Sequence, residues 1–150
     1  GSGIQSMAID GTFMLWDPSY GLSQWWREGV STDLLSRQIE LWGGDVLNQY
    51  SPETKVLSFE ASRYVYLFDP VAQTFTVYRS TPYKTNDSFT TSYSLAYFFR
   101  IKFSIDDFTV LDAFVEEGEQ AILHLLTDSG VYKLRLWEYR NEYMQRIDGE

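Results

Sequence analysis

The stretch that decides the fold is residues 120–147, QAILHLLTDSGVYKLRLWEYRNEYMQRI. Its first part contains two runs rich in apolar residues, 120–127 and 131–136, on either side of Asp128-Ser129-Gly130. A short turn that ends in glycine between two such runs is typical of a β-hairpin. The sequence therefore predicts that these two runs pair as antiparallel strands.

The spacing of apolar residues changes after this hairpin. They recur at i, i+3, i+7, i+8 and i+11, the spacing of one helix face, at Leu136, Tyr139, Tyr143, Met144 and Ile147. Charged and amide side chains occupy the other face. The pattern predicts one amphipathic C-terminal helix that covers an open end of the sheet.

Upstream segments add further strands. A long aromatic run at 55–68 turns at Asp69-Pro70 and returns at 74–78, which predicts a second hairpin. Three more segments have strand-like patterns, namely 38–42, 93–105 and 108–115. We expect a mainly β fold: a curled antiparallel sheet or partly open barrel of about seven strands, closed by the C-terminal helix.

The first part of the chain is expected to lie outside this sheet. Residues 1–7 look like a cloning remnant, and 8–34 form an aromatic-rich extension that packs onto a main domain at 35–150. A short helix is predicted from Leu22 to Glu28. The tryptophans Trp25 and Trp26 are either core residues or part of a partner surface.

Composition and charge exclude several classes of partner. The net charge of -9 repels nucleic acid and anionic lipid at long range. The chain has no cysteine, so it has neither disulfides nor thiolate ligands, and no apolar run approaches the roughly 20 residues of a membrane span. These features fit a cytoplasmic protein.

The acidic residues cluster between 103 and 132, where no lysine or arginine occurs. The cluster contains Asp106, Asp107, Asp112, Glu116, Glu117, Glu119 and Asp128. Such a run is either a set of solvated loops and strand edges or a docking face for a basic partner.

The order of strands followed by one helix resembles the pleckstrin-homology (PH) superfold over about residues 36–148. Residues 55–68 resemble that family's second strand, 74–79 its third, and 101–113 the segment leading into its fifth. The hairpin at 123–136 resembles its last, and 138–147 its closing helix, with Tyr143 where the family usually has tryptophan.

The resemblance implies a fold that binds either phosphoinositides or proteins. Lipid-binding members hold inositol phosphates with lysine and arginine, and the corresponding residues here are Lys55, Arg63 and Lys84. Glu60 and Ala61 stand where further basic residues are expected. In a chain of this net charge, we expect phosphoinositide binding to be weak or absent.

Chemistry-bearing motifs are few. His124 is the single histidine, and it alternates with Leu123 and Leu125, so it is expected to face solvent or a polar edge. The sequence contains no phosphate-binding glycine loop, nucleophile elbow or EF-hand spacing. We expect no enzymatic activity, no cofactor and no metal site.

The sequence thus favours a non-enzymatic protein-docking or scaffold module with a basic protein partner. The expected partner-binding residues are Trp25, Trp26, Asp112, Glu116 and Glu119. One alternative is a phosphoinositide-binding adaptor, and a partner or a lipid anchor outside this sequence would also give a membrane-peripheral location. The other is a small β-barrel carrier of a lipophilic ligand, suggested by Gly11-Thr12-Phe13 and Arg135.

Overall fold

The computed structural model of the chain describes residues 4–9, 12–18, 20–27, 34–39, 41–42, 50–57, 63–83, 92–137 and 146–148. These residues form thirteen β-strands in three sheets, which confirms the prediction of a mainly β fold. Among them, only Leu136 and Trp137 have helical backbone. The chain divides into two compact units, Gly1–Arg100 and Ile101–Glu150.

The first sheet lies in the first unit and is an antiparallel meander. Its strands, in spatial and chain order, are β1 (Gln5–Ile9), β2 (Thr12–Asp17), β3 (Gly21–Arg27) and β4 (Leu34–Ile39). The predicted helix from Leu22 to Glu28 is therefore wrong. The reason is that β3 pairs with β2 on one side and β4 on the other, so neighbouring strands provide its hydrogen-bond partners.

Residues expected to be a remnant and an extension contribute to this sheet. The Gln5 side chain donates to the backbone oxygen of Thr54 at 2.8 Å and accepts from the backbone N–H of Val56 at 3.1 Å. From the expected extension at 8–34, β2 and β3 supply Trp16 and Leu22, which are fully buried. Trp16 thus belongs to the core of the first unit, whereas Phe13 and Tyr20 are exposed.

The second sheet has the spatial order β5-β9-β8-β7-β6. Its strands are β5 (Leu41–Trp42), β6 (Lys55–Leu57), β7 (Tyr64–Asp69), β8 (Thr74–Tyr83) and β9 (Ser92–Lys102). The antiparallel pairing of β7 with β8 confirms the predicted hairpin around Asp69-Pro70. The two sheets of this unit share one apolar cluster, formed by Met14, Trp16, Leu22, Ile39, Tyr50, Val65, Leu67, Tyr78 and Leu95.

A buried polar cluster lies beside this core. The hydroxyl groups of Tyr50 and Tyr78 are 2.8 Å apart, and Arg100 donates to Tyr50 through Nη2 and to Thr76 Oγ1 through Nε. Burial raises the pKa of Tyr78 far above its usual value, and the neighbouring Tyr50 raises it further. The Tyr78 hydroxyl therefore remains protonated, and its contact with Tyr50 fixes the packing of the core.

The third sheet lies in the second unit. Its strands, in spatial and chain order, are β10 (Val110–Glu116), β11 (Ile122–Thr127), β12 (Gly130–Arg135) and β13 (Arg146–Asp148). The predicted hairpin at 120–136 is confirmed, with Thr127 opposite Gly130 across a two-residue loop. Gly130 has a φ of 134°, which a residue with a side chain rarely adopts.

The C-terminal helix is not present where its last turn was predicted. Ile147 lies in β13, directly opposite Lys133 of β12, in an antiparallel ladder. Residues 138–145, which include Tyr139, Tyr143 and Met144, lie outside the described residues. The prediction is wrong at Ile147 because a helical spacing of apolar residues does not prevent a segment from pairing with a neighbouring strand.

Candidate protein-interaction surface

A β-bulge in β10 decides which of its side chains face solvent. The pairing of β10 with β11 is regular from Asp112 to Glu116, but its register shifts between Val110 and Asp112. Beyond the bulge, Ala113 and Val115 are buried, whereas Asp112, Phe114 and Glu116 are exposed. The bulge therefore sets the alternation that directs Phe114 outward.

Cross-strand register extends this outward side of β10 over β11 and β12. Directly opposite residues form three rows, which are Asp112–Leu126–Val131, Phe114–His124–Lys133 and Glu116–Ile122–Arg135. We call these nine side chains the outer face.

Three large apolar side chains of the outer face are about half exposed. The exposed fractions are 57% for Phe114, 50% for Leu126 and 46% for Val131. Together with Asp112 and His124 they line a half-open groove of about 290 Å³. A contiguous group of exposed apolar residues with a polar rim is typical of a binding surface.

His124 lies at the centre of the outer face and is held on two sides. Its ring stacks on that of Phe114, with 4.4 Å between ring centroids and 3° between planes. Its Nε2 lies 2.9 Å from Glu116 Oε1, and the Glu116 side chain remains 61% exposed. The described residues that line the groove carry no hydroxyl or thiol for this His–Glu pair to activate.

The formal charges of the outer face are separated between its two sides. The carboxylates of Asp112 and Glu116 lie on β10, and the cations of Lys133 and Arg135 lie on β12. Phe114 lies on β10 between the two carboxylates, Leu126 on the middle strand β11, and Val131 on β12. The outer face thus combines an acidic side, a basic side and apolar residues on all three strands.

The structure brings together two of the three acidic residues that the sequence suggested for partner binding. Asp112 and Glu116 share the outer face, and Glu119 is exposed in the connection from β10 to β11. Trp25 and Trp26 belong to the first unit, where both are half-buried. Trp25 Nε1 donates to Ser23 Oγ at 2.8 Å, and the Arg37 guanidinium lies 4.3 Å from the ring centroid of Trp26.

The residues expected for phosphoinositide binding do not converge. Lys55 pairs with Phe68 of β7, and Arg63 immediately precedes that strand. Phe68 lies five positions after Arg63, which corresponds to roughly 17 Å along an extended strand. Lys84 lies outside the described residues.

Sequence reasoning did not identify Phe114, Leu126 or Val131. Each lies in a short apolar run, at 113–115, 125–126 or 131–132, so composition alone does not show which member is exposed. For Leu126 the signal was present, since strict alternation with the buried Leu123 and Leu125 places it outside. For Phe114 the bulge had to be known.

The described part of the chain contains neither a metal-ligand cluster nor a helix that could span a membrane. No group of three or more His, Cys, Asp or Glu side chains is arranged there to hold a metal ion. No helical segment in those residues has the length and hydropathy of a membrane span.

Comparisons with protein-family models, curated proteins and solved structures return no match for this chain.

Proposed function

We propose that this chain is a non-enzymatic docking module that binds a protein through the outer face. The observation that carries this proposal is the half exposure of Phe114, Leu126 and Val131 on one face. Fully burying such side chains is worth about 1.5–3 kcal/mol each, so covering the exposed halves yields roughly 1 kcal/mol per residue. Three such residues together account for about a hundredfold in affinity.

The charges on the outer face define the complementary chemistry of the partner. A basic group of the partner fits beside Asp112 and Glu116, which supports the expectation of a basic partner. The same partner meets Lys133 and Arg135 on the other side, where an acidic group fits. These charges contribute mainly to association rate and orientation, and the exposed apolar side chains contribute most of the affinity.

Selection of peptides from a random phage-displayed library provides a direct test. We expect the selected peptides to carry an aromatic or aliphatic side chain next to lysine or arginine. The best peptide is then synthesised and titrated against the wild-type chain, Phe114→Ala and Leu126→Ala. We expect each substitution to weaken binding about tenfold, in line with the apolar area removed.

Val71→Ala is the matched control for this test. Val71 is 67% exposed in the turn between β7 and β8, so its truncation removes a similar exposed apolar group from the first unit. Equal binding by Phe114→Ala, Leu126→Ala and wild type would show that the peptides bind elsewhere. Thermal melting of each variant separates loss of binding from loss of folding.

A further inference from the structure

We infer that a second copy of this chain occupies the outer face in a two-fold symmetric dimer. This inference rests on the proposed function and specifies the partner of the same surface. It follows from the positions of Glu116 and Arg135, which lie in one row on opposite sides of Ile122. The face thus carries a carboxylate and a guanidinium group at equivalent positions on either side of β11, which a two-fold rotation exchanges.

A two-fold axis parallel to the strands and running along β11 gives a specific set of contacts. Rotation about this axis exchanges the β10 side with the β12 side and leaves each row at the same height. Glu116 of one copy then faces Arg135 of the partner copy, and the same pair occurs again by symmetry. Ile122, His124 and Leu126 meet their own symmetry equivalents along the axis.

The alternative two-fold axis, perpendicular to the strands, gives a poorer fit. Rotation about that axis exchanges the first row with the last and keeps β10 on the β10 side. Asp112 then faces Glu116 of the partner copy, so carboxylates meet carboxylates at both positions. Like charges opposed across an interface are unfavourable, so the charge pattern selects the parallel axis.

The Phe114–His124 stack also fits a face-to-face arrangement. In the parallel-axis dimer, Phe114 lies opposite Lys133 of the partner copy, whose aliphatic stem packs against the exposed part of the ring. Glu116 contacts His124 through Oε1. The contact with His124 orients the Glu116 side chain before the partner copy binds. Little side-chain entropy is therefore lost when Glu116 pairs with Arg135 of the partner copy.

The size of the outer face sets the expected strength of the dimer. Three strands about 4.8 Å apart and five residues long cover roughly 14 Å by 17 Å. The resulting area, roughly 240 Å², is smaller than the roughly 800 Å² that each partner buries in stable complexes. The net charge of -9 on each copy adds a repulsion that salt screens beyond about 8 Å at 0.15 M. We expect a dissociation constant of roughly 10⁻⁴ M.

Charge exchange across the axis tests the inference. Sedimentation velocity is measured from about 5 to 500 µM in 0.15 M salt for wild type, Glu116→Arg, Arg135→Glu and an equimolar mixture of the two variants. Each variant alone opposes like charges at both symmetry-related pairs, so we expect its self-association to weaken at least about tenfold. In the mixture both pairs regain opposite charges, and association is expected to return to near the wild-type level.

Glu53→Arg and Lys55→Glu are the matched controls, because they make the same charge changes at exposed positions of the first unit. They are expected to shift association far less than the outer-face variants. A wild-type chain that stays monomeric at 500 µM overturns the dimer, as does a mixture in which association is not restored. Peptide binding by the outer face is measured separately, so the peptide titration tests the proposed function independently of the dimer.

Discussion

Replacement of Asp69 is expected to destabilise the first unit, although the residue lies at a turn. Its Oδ1 accepts hydrogen bonds from Ser51 Oγ at 2.6 Å, Val71 N at 3.0 Å and Ala72 N at 3.1 Å. Its Oδ2 accepts from Ser51 N at 2.9 Å. One carboxylate thus shapes the β7–β8 turn and attaches the segment before β6 to it.

The loss of stability depends on which of the hydrogen-bond donors to Asp69 can bond to water once the carboxylate is removed. Val71 and Ala72 are exposed, so their N–H groups turn to water when the carboxylate is removed. The two bonds to Ser51 lie nearer the core, and hydrogen bonds to a charged group are worth about 1.5–3 kcal/mol each. We expect Asp69→Ala to cost about 3–5 kcal/mol of a total stability of about 5–15 kcal/mol.

Asp69→Asn removes the charge of the side chain and keeps its shape. The amide keeps an oxygen at the Oδ1 position but places an NH₂ group against the N–H of Ser51, so one bond and the charge are lost. We expect a cost of about 1.5–3 kcal/mol. Asp106→Ala is the control, because Asp106 is an exposed acid, and its change should stay within about 0.5 kcal/mol.

Urea unfolding followed by tryptophan fluorescence is a suitable assay for the Asp69 variants. Trp16, Trp25, Trp26 and Trp42 all lie in the first unit, so the signal reports mainly on the part of the chain that contains Asp69. A loss for Asp69→Ala no larger than that for Asp106→Ala would refute the reasoning.

Lowering the pH tests the same carboxylate in the unsubstituted chain. Burial raises the pKa of Asp69, but hydrogen bonds from Ser51, Ala72 and Val71 together outweigh burial and hold the pKa below its usual value. Its contribution to stability is therefore fully present above the unfolded-state pKa of about 3.9 and is lost as the pH falls further. The difference between wild type and Asp69→Asn should shrink below about pH 4, and an unchanged difference at pH 3 would contradict this account.

Three other predictions follow from the first unit. Trp16→Ala removes a fully buried indole and should cost about 3–5 kcal/mol in urea unfolding, and a cost below 1 kcal/mol would contradict its place in the core. Tyr78→Phe removes the 2.8 Å contact with Tyr50 and should cost about 1–2 kcal/mol with an unchanged circular dichroism spectrum. A soluble inositol phosphate should bind with a dissociation constant above about 1 mM by calorimetry, because Lys55 and Arg63 lie roughly 17 Å apart, whereas micromolar binding would revive the adaptor hypothesis.

The sequence was sufficient for the two hairpins because their turns are local. Asp69-Pro70 and Asp128-Ser129-Gly130 carry the turn chemistry themselves, through side-chain acceptors and a glycine at positive φ. Alternation along 93–105 likewise identified the buried side of β9, where Leu95, Phe99 and Ile101 are buried. These features require no knowledge of distant parts of the chain.

The misassigned segments are those whose conformation depends on a distant partner. Gly21–Arg27 is a strand because β2 and β4 pair with it, and Arg146–Asp148 because β12 does. Local apolar spacing near Ile147 favours a helix, and pairing with a neighbouring strand outweighs that preference. The resemblance to PH domains, which included the closing helix, stays a prediction.

The acidic residues Asp112 and Glu116 were identified from sequence, but their partners on the outer face were not. Clustering of charge can be read from the amino-acid sequence. The exposure of Phe114 depends instead on a bulge that shifts the register of β10 by one residue. Leu126 and Val131 become part of the same surface only when β11 pairs with β12. Cross-strand register is thus the information that the sequence lacked.

The bulge also distinguishes between two ways in which a partner can approach this sheet. Among the described residues β10 is one of the two edge strands of the third sheet, and a flat edge strand invites another strand to pair with it. A bulge and outward-facing carboxylates both oppose such edge pairing, and β10 has the bulge next to Asp112 and a second carboxylate at Glu116. The exposed apolar groups are therefore available to a partner on the face of the sheet, while pairing along the edge is disfavoured.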